Sequence, residues 1–113
     1  MKRIEAIIRP EKLEILRLQL EKVGYPGMMV SRIEGHGNQR GVTHQFRGQE
    51  YKTAFLTKIR IVIVVPDSEA QKLIDAIIEV CRSGSVGDGK IFISEITDAI
   101  RIRTGESGDK AIS

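Results

Sequence analysis

The stretch LTKIRIVIVV, residues 56–65, decides the fold of this 113-residue chain. Its β-branched residues form a near-continuous apolar run, which predicts a central strand that is buried on both faces at its far end. Pro66 ends the run, and Asp67 or Ser68 is then predicted to cap a helix. The apolar residues of that helix recur at helical spacing and predict one buried face: Ala70, Leu73, Ile74, Ile77 and Cys81.

The first part of the chain repeats this strand and helix pattern. Residues 2–9 (KRIEAIIR) alternate apolar and polar side chains and predict a strand. Pro10 supplies the fixed φ of a first helical turn, and Gly24 is a natural stop for the helix. Residues 28–34 predict the next strand. The chain closes with a predicted strand, KIFISEIT (90–97), and its short extension, AIRIR (99–103).

The order of these elements is βαββαβ within one domain, residues 1–113. Right-handed crossovers, with both helices on one sheet face, predict an α+β, ferredoxin-like sandwich. The segment between the second and third strands, residues 36–54, is polar and interrupted by glycine. It exceeds the roughly 12–15 residues of ordinary loops, so we expect a flexible, protruding binding arm.

Composition limits the classes of protein to which the chain belongs. A formal net charge of +3 suits anionic ligands without requiring nucleic acid. The single cysteine, Cys81, has no disulfide partner within the chain and is predicted to be buried in a reducing compartment. No apolar run approaches the roughly 20 residues of a membrane span, and no signal-peptide pattern is found. We therefore expect a soluble, cytoplasmic protein.

The stretch RSGSVGDGKIF, residues 82–92, is the strongest local candidate for a binding site. Gly84, Gly87 and Gly89 allow positive φ and close approach of the backbone to a ligand. Main-chain N–H groups with Lys90 beside them would form a phosphate-binding turn over residues 82–90. Because Gly-Asp-Gly is also ordinary turn chemistry, the local sequence leaves both interpretations open.

Six motifs, in matching order and spacing, resemble the PII signal-transduction family. They are KRIEAIIRPEKLE (2–14), VGYPGM (23–28), GxGxQxG (35–41), FRGQEY (46–51), GSVGDGKIF (84–92) and IRIRTGE (100–106). The resemblance spans nearly the whole chain. It implies a homotrimer whose sheets face a central axis, with nucleotide bound in clefts between neighbouring subunits.

The resemblance also implies binding residues. For ATP or ADP they are Gly35, Gly37, Gly87, Asp88, Gly89, Lys90, Arg101 and Arg103, the two arginines reaching the nucleotide from the adjacent chain. For 2-oxoglutarate, bound with Mg-ATP, they are Arg9, Gly37, Gln39, Gly41 and Lys58. Gln39 would also be a Mg²⁺ ligand, and a side-chain carbonyl is the hard oxygen donor that Mg²⁺ takes. From the residues alone, Arg101 and Arg103 also fit a solvated strand face.

A PII-like protein would be a non-catalytic sensor that regulates nitrogen metabolism through its long loop. Its targets would be an ammonium channel, a nitrogen-assimilation regulator or a biosynthetic enzyme, with membrane contact only through the channel. Tyr51 resembles the loop tyrosine that a nucleotidylyltransferase modifies in many bacterial members. The chain departs from the common family pattern at Asn38, Met29 and Val62.

Three alternatives remain open at this stage. The first is an adenylate-charge sensor that binds ATP or ADP without responding to 2-oxoglutarate. The second is an RNA-binding module, which the element order and the pI near 9.2 permit. Its central strands should carry aromatic residues, but here they offer only Phe92. The third is an enzyme, for which no Ser/His/Asp or Cys/His set is apparent; Glu95 and Asp98 are expected at the surface.

Overall fold

The described residues form six strands and three helices, and four of the strands make up the main sheet. In the computed structural model they are, in chain order, β1 (Lys2–Ile8), a 3₁₀ turn (Pro10–Lys12), α1 (Leu13–Lys22), β2 (Met29–Asn38), β3 (His44–Phe46), β4 (Gln49–Tyr51), β5 (Thr53–Val65), α2 (Asp67–Cys81), β6 (Gly89–Glu95) and α3 (Asp109–Ile112). The structure describes the backbone of residues 1–25, 27–38, 44–46, 49–51 and 53–113. It describes the side chains of residues 1–25, 27–35 and 56–113.

The main sheet has the strand order β2–β5–β1–β6, with every neighbouring pair antiparallel. β1 therefore lies in the middle of the sheet beside β5. Helix α1 connects β1 to β2 and helix α2 connects β5 to β6, so each of these two helices joins strands that are not direct neighbours. This arrangement confirms the predicted α+β, ferredoxin-like sandwich. Strands β3 and β4 form a separate two-stranded sheet.

One face of the sheet is covered by α1 and α2. Directly paired strand residues point to this face in rows: Ile4 with Ile63, Ala6 with Ile61, and Ile8 with Ile59. They pack in one core with the helix residues Leu16, Leu20, Leu73 and Ile77. Each of these large aliphatic side chains is almost fully buried, which contributes about 1.5–3 kcal/mol apiece relative to exposure.

Cys81 closes this core at the end of α2, where 5% of the residue is exposed. Burial raises the pKa of its thiol to about 11. The thiolate, which is the reactive form, is therefore rare at neutral pH. The prediction of a buried cysteine is confirmed.

The opposite face of the sheet, the open face, carries no helix. Here Glu5 pairs with Val62 on one side and Phe92 on the other, and Val62 pairs with Met29. Val62 is 6% exposed, whereas Met29 and Phe92 are 61% and 52% exposed. The predicted burial of the central strand on both faces is thus confirmed for its far end, and apolar side chains flank it on the open face.

Two predicted boundaries are wrong. β2 continues to Asn38 and β5 already begins at Thr53, so both ends of the predicted 36–54 loop belong to the sheet, and β3 and β4 lie within it. Main-chain pairing explains this extension, because it satisfies N–H and C=O groups whatever the side chains are. In α2, Asp67 is the first helical residue, and Pro66 takes the cap position without a side-chain hydrogen bond.

Within the part of the chain that the structure describes, no helix combines the length and the apolar character needed to cross a membrane.

Candidate anion-binding site

The glycine turn, defined here as Ser83–Gly89, joins α2 to β6 and has three glycines with positive φ. Gly84, Gly87 and Gly89 have φ of 88°, 101° and 107°. A Cβ on Gly89 would lie 1.7 Å from the carbonyl oxygen of Ile7, so only glycine fits against β1 at this point. The turn is therefore pressed against the end of β1.

Asp88 organises the glycine turn from within. Its carboxylate accepts hydrogen bonds from the N–H groups of Ser83 and Gly84, at 2.8 and 2.9 Å, and from the Ser83 hydroxyl. Arg9 Nε donates to the same carboxylate at 3.2 Å. The Ser83 hydroxyl and N–H, followed by the Gly84 N–H and Arg9, hold the pKa of Asp88 well below its ordinary value. Asp88 is thus an ionised turn organiser, and its carboxylate is unsuited to contact a phosphate.

Two cations extend this cluster from the neighbouring strands. Arg9 follows β1, and its Nη2 donates to the carbonyl oxygen of Val86 at 2.9 Å. Lys58 lies on β5, and its Nζ donates to the carbonyl oxygen of Gly87 at 2.5 Å. A Cβ on Gly87 would lie 3.2 Å from Arg9 Nη2 and 3.7 Å from Lys58 Nζ. The guanidinium, the ammonium and the turn backbone therefore converge within a few ångströms.

The electrostatics of the cluster favour an anion. Burial, and secondly the charge of Arg9, lower the pKa of Lys58. The charges of Glu11 and then Asp88 act in the opposite direction on Lys58. Because Asp88 is bonded within the turn, an added carboxylate or phosphate would pair directly with the two cations. Charge-assisted hydrogen bonds from such donors are about twice as strong as neutral ones. The arrangement can hold an anionic ligand.

The remaining predicted residues near this cluster lie along the strands. Lys90 follows Gly89 on β6 and pairs with Ile7, which places it on the open face with an exposed side chain. On β2, Gly35 and Gly37 lie two and four residues beyond the partner of Lys58, Ile33. Both glycines therefore lie on β2, the strand that pairs with the strand of Lys58.

Three predicted functional positions lie between β2 and β5 in the sequence. Gln39 and Gly41 lie outside the described residues. Tyr51 is the last residue of β4, where it pairs with His44.

An open cleft of about 410 Å³ adjoins the glycine turn between α2 and β6. Isoleucine side chains such as Ile77 and Ile91 line much of it, and Arg82 and Lys90 also contribute to its lining. The cleft is thus mainly apolar, with the charged residues Arg82 and Asp88 in its lining at the glycine turn.

The structure does not bring the two predicted arginines of the C-terminal segment to the glycine turn. The predicted strand extension over residues 99–103 is wrong: a hairpin, Ile100–Ser107, takes its place with a single bridge between its ends. The Arg101 N–H bonds to the Glu106 carbonyl oxygen, and the Gly105 N–H bonds to that of Arg101. These local bonds replace a ladder with a neighbouring strand, so the alternating pattern does not place Arg101 and Arg103 on one strand face.

Sequence reasoning missed the contribution of Ser83 and Val86, which hold Asp88 and Arg9 in place. For Ser83 a signal was present, because aspartate in a glycine-rich turn commonly accepts hydrogen bonds from nearby main-chain N–H groups. For Val86 no signal existed, since its contact is through the main-chain carbonyl.

The chain resembles known proteins along nearly its whole length. The family model described as nitrogen regulatory protein P-II matches residues 1–106. The chain is 47% identical to a nitrogen regulatory protein P-II of Nostoc punctiforme, over 99% of this chain and 100% of that protein. It is 48% identical to the nitrogen regulatory protein P-II 1 of Escherichia coli, with the same two coverages.

The fold matches a solved structure of the same kind. The crystal structure titled Arabidopsis thaliana PII bound to citrate aligns with a TM-score of 0.78 at 36% identity, covering 98% of this chain and 88% of the other. Because the family match, the curated relatives and the fold agree along nearly the full length, the chain belongs to the nitrogen regulatory protein P-II family.

Proposed function

We propose that this protein is a non-catalytic sensor that binds ATP or ADP and, together with Mg-ATP, 2-oxoglutarate. The observation that carries the proposal is the convergence of Arg9 and Lys58 on the glycine turn. Residues 36–54 would transmit ligand binding to target proteins of nitrogen metabolism. Family membership supports the regulatory role, because the relatives are named nitrogen regulatory proteins.

In this proposal the phosphates of the nucleotide contact the backbone of Gly87 and Gly89. Exposed Lys90 adds a cation beside them, while Asp88 keeps the turn in shape. The other nucleotide contacts would come from Gly35 and Gly37 and, from an adjacent subunit of a homotrimer, Arg101 and Arg103. When bound, Mg²⁺ would neutralise phosphate charge, and the side-chain carbonyl of Gln39 offers it a suitable oxygen.

The 2-oxoglutarate site would use Lys58 and Arg9 against its carboxylates, with Gly37, Gln39 and Gly41 close to the ligand. The Arabidopsis thaliana relative is described as bound to citrate, which is also a polycarboxylate. This supports a carboxylate ligand for the same fold.

Contacts between the two sites would couple the two ligands. Arg9 is bonded to Asp88 and Lys58 to the Gly87 carbonyl, so the cations of one site touch the turn of the other. A ligand that moves the turn would move Arg9 and Lys58, and a ligand that moves these two cations would move the turn. Thermodynamic linkage makes such coupling reciprocal.

The output step would depend on the segment that contains β3 and β4. A change at its base, where Gln39 and Gly41 lie, would alter how it fits a target protein. The targets would be an ammonium channel, a nitrogen-assimilation regulator or a biosynthetic enzyme, and a nucleotidylyltransferase would modify Tyr51. We place the protein in the cytoplasm, with membrane contact only through a channel.

Calorimetric titration of 2-oxoglutarate into the protein, alone and with Mg-ATP or Mg-ADP, tests the proposal. We expect binding only in the presence of Mg-ATP. Lys58→Gln should weaken 2-oxoglutarate binding at least about tenfold, since a charged hydrogen-bond partner is lost. Lys22→Gln removes an equal charge from the exposed end of α1 and should leave binding unchanged.

The outcomes separate the alternatives. Nucleotide binding without any effect of 2-oxoglutarate would replace the proposal with an adenylate-charge sensor. Absence of binding by both ligands would refute both versions. Saturable ATP turnover above about 1 s⁻¹, the low end for ordinary enzymes, would overturn the non-catalytic assignment.

A further inference from the structure

The guanidinium of Arg101 is occupied by the end of its own chain. Its Nη2 donates to the carbonyl oxygen of Lys110 at 2.8 Å and to that of Ser113 at 3.0 Å. Its Nη1 lies 3.5 Å from the Glu106 carboxylate, and the side chain is 29% exposed. Residues 109–113, called the C-terminal tail below, therefore hold the side chain that the proposed function assigns to nucleotide phosphate.

The geometry of arginine makes this contact competitive with a phosphate. Arginine grips a phosphate most strongly with two parallel N–H groups from one edge of its planar fork. Both such edges, Nη1 with Nη2 and Nε with Nη2, need an N–H of Nη2. In Arg101 the two hydrogen bonds from Nη2 engage both of its N–H groups. A bidentate phosphate contact therefore requires that the tail leave.

Contacts other than those with Arg101 also hold the tail in place. Gly108 directs it with φ 74° and ψ −153°, and its N–H donates to the Ala99 carbonyl and the Asp98 carboxylate at 3.1 and 3.0 Å. From there α3 runs beside β5, where Ile112 lines a groove of about 540 Å³ with Tyr25. The docked position is thus defined by a glycine turn and by the position of α3 beside β5, which leaves Ile112 half-buried.

We propose that the C-terminal tail is an intramolecular latch that competes with nucleotide phosphate for Arg101. The inference rests on the proposed nucleotide function and adds its regulation. With the tail docked, Arg101 is unavailable and nucleotide affinity is low. With the tail released, Arg101 can bind phosphate, and the groove beside Tyr25 loses the part of its lining that Ile112 and Ser113 supply. Nucleotide binding and tail docking thus exclude each other.

Reciprocity gives the latch a regulatory consequence. A partner that fills the groove in place of the tail would raise nucleotide affinity, and nucleotide would in turn favour that partner. If the docked state leaves Arg101 free about one tenth of the time, the apparent Kd for nucleotide is about tenfold weaker than the intrinsic one.

The test measures the Kd of Mg-ATP by calorimetry for the full chain and for variants of the tail. A chain ending at Gly108 should bind about tenfold more tightly, by the same population argument. Ile112→Asp should also tighten binding, although its added negative charge would by itself repel ATP. Ile112→Val keeps an apolar side chain at this half-buried position and should match the unaltered protein.

A second arm shows whether the effect acts through Arg101. In an Arg101→Ala background, removal of the tail should no longer change the Kd. In an Arg103→Ala background the gain should persist, since Arg103 has no hydrogen bond to the tail among the contacts of the described residues. Hydrogen exchange supplies an independent readout: ATP should speed exchange at Ala111, whose N–H bonds to the Gly108 carbonyl at 2.9 Å.

The results distinguish failure of the latch from failure of the proposed function. Measurable ATP binding that tail removal and Ile112→Asp leave unchanged would overturn the latch alone. A gain that survives Arg101→Ala would also overturn it, because the tail would then act elsewhere. Absence of ATP binding in the full chain and in every variant would overturn the nucleotide function, and the latch with it.

Discussion

At the scale of single residues, Gly89 joins the glycine turn to β1, which lies between β5 and β6. Its φ of 107° is unfavourable for residues that carry a side chain, and an added Cβ atom would clash with the carbonyl oxygen of Ile7. Gly84, in the same turn, has a similar φ of 88° but open space around it. Substitutions at the two glycines therefore distinguish backbone strain, which both positions share, from a steric clash, which only Gly89 would have.

We expect Gly89→Ala to destabilise the protein by at least about 2 kcal/mol, because strain and a backbone clash combine. Gly84→Ala is the matched control and should cost about 1 kcal/mol, the price of the left-handed conformation alone. Urea unfolding followed by circular dichroism measures both. Equal losses in the two variants would contradict the close contact with Ile7.

Asp88 and Lys58, both predicted to bind a ligand, have hydrogen-bond partners inside the protein. The carboxylate of Asp88 is bonded to Ser83, Gly84 and Arg9, and Lys58 to the Gly87 carbonyl. An incoming anion therefore meets cations that already have partners. Its binding must rearrange these bonds, and the turn would sense the ligand through this rearrangement.

At the scale of elements, Tyr25 connects the segment after α1 to α2. Its hydroxyl donates to the Glu69 carboxylate, and the Lys72 ammonium lies 5.9 Å from the centre of its ring. Burial, and secondly the hydrogen bond to Glu69, raise the pKa of Tyr25 to about 12. This contact fixes the end of α1 against the start of α2.

The raised pKa predicts alkaline sensitivity. The stabilising effect of protonated Tyr25 is fully present below the unfolded-state value of 10 and is lost as pH rises through about 12. Absorbance titration at alkaline pH should show one of the two tyrosines ionising near 12. Tyr25→Phe should remove this step, whereas Tyr51→Phe should retain it. Persistence of the step in Tyr25→Phe would refute the assignment.

At the scale of the whole molecule, the open face of the sheet is suited to assembly. Met29 and Phe92 are exposed there in one row with Val62 and Glu5, and β6 is an edge strand. Exposed apolar groups on a sheet face and an unpaired edge often mark an interface between chains. Among the side chains that the structure describes on this face, Phe92 is the one exposed aromatic, which falls short of the stacking surface that the RNA-binding alternative requires.

We expect a homotrimer with three times the 12.6 kDa mass of one chain, assembled through the open face. Phe92→Glu places a charge on this face and should lower the mass measured by light scattering after size exclusion. Ile15→Glu changes a residue of similar exposure, 56%, on α1 and should leave the mass unchanged. A monomeric unaltered protein, or a trimer that is insensitive to Phe92→Glu, would contradict this assembly.

The sequence by itself determined the fold class and the position of the glycine turn. The apolar runs and helical spacing are properties of consecutive residues, so strands such as 56–65 and the helix face around Leu73 can be read directly from them. The three glycines of the turn were informative for the same reason, because positive φ is a local requirement. The motifs between Lys2 and Glu106 were enough to indicate the family.

Only the tertiary structure decided which groups meet and what each one does. Arg9, Lys58 and Asp88 are separated by up to 79 residues along the chain and meet because β1 lies between β5 and β6. Asp88 serves the turn, and Arg101 contacts the C-terminal tail. The strand extensions to Asn38 and from Thr53 likewise depend on main-chain pairing between distant segments. Hydrogen bonds of this kind depend on the spatial position of backbone atoms, which residue type alone does not specify.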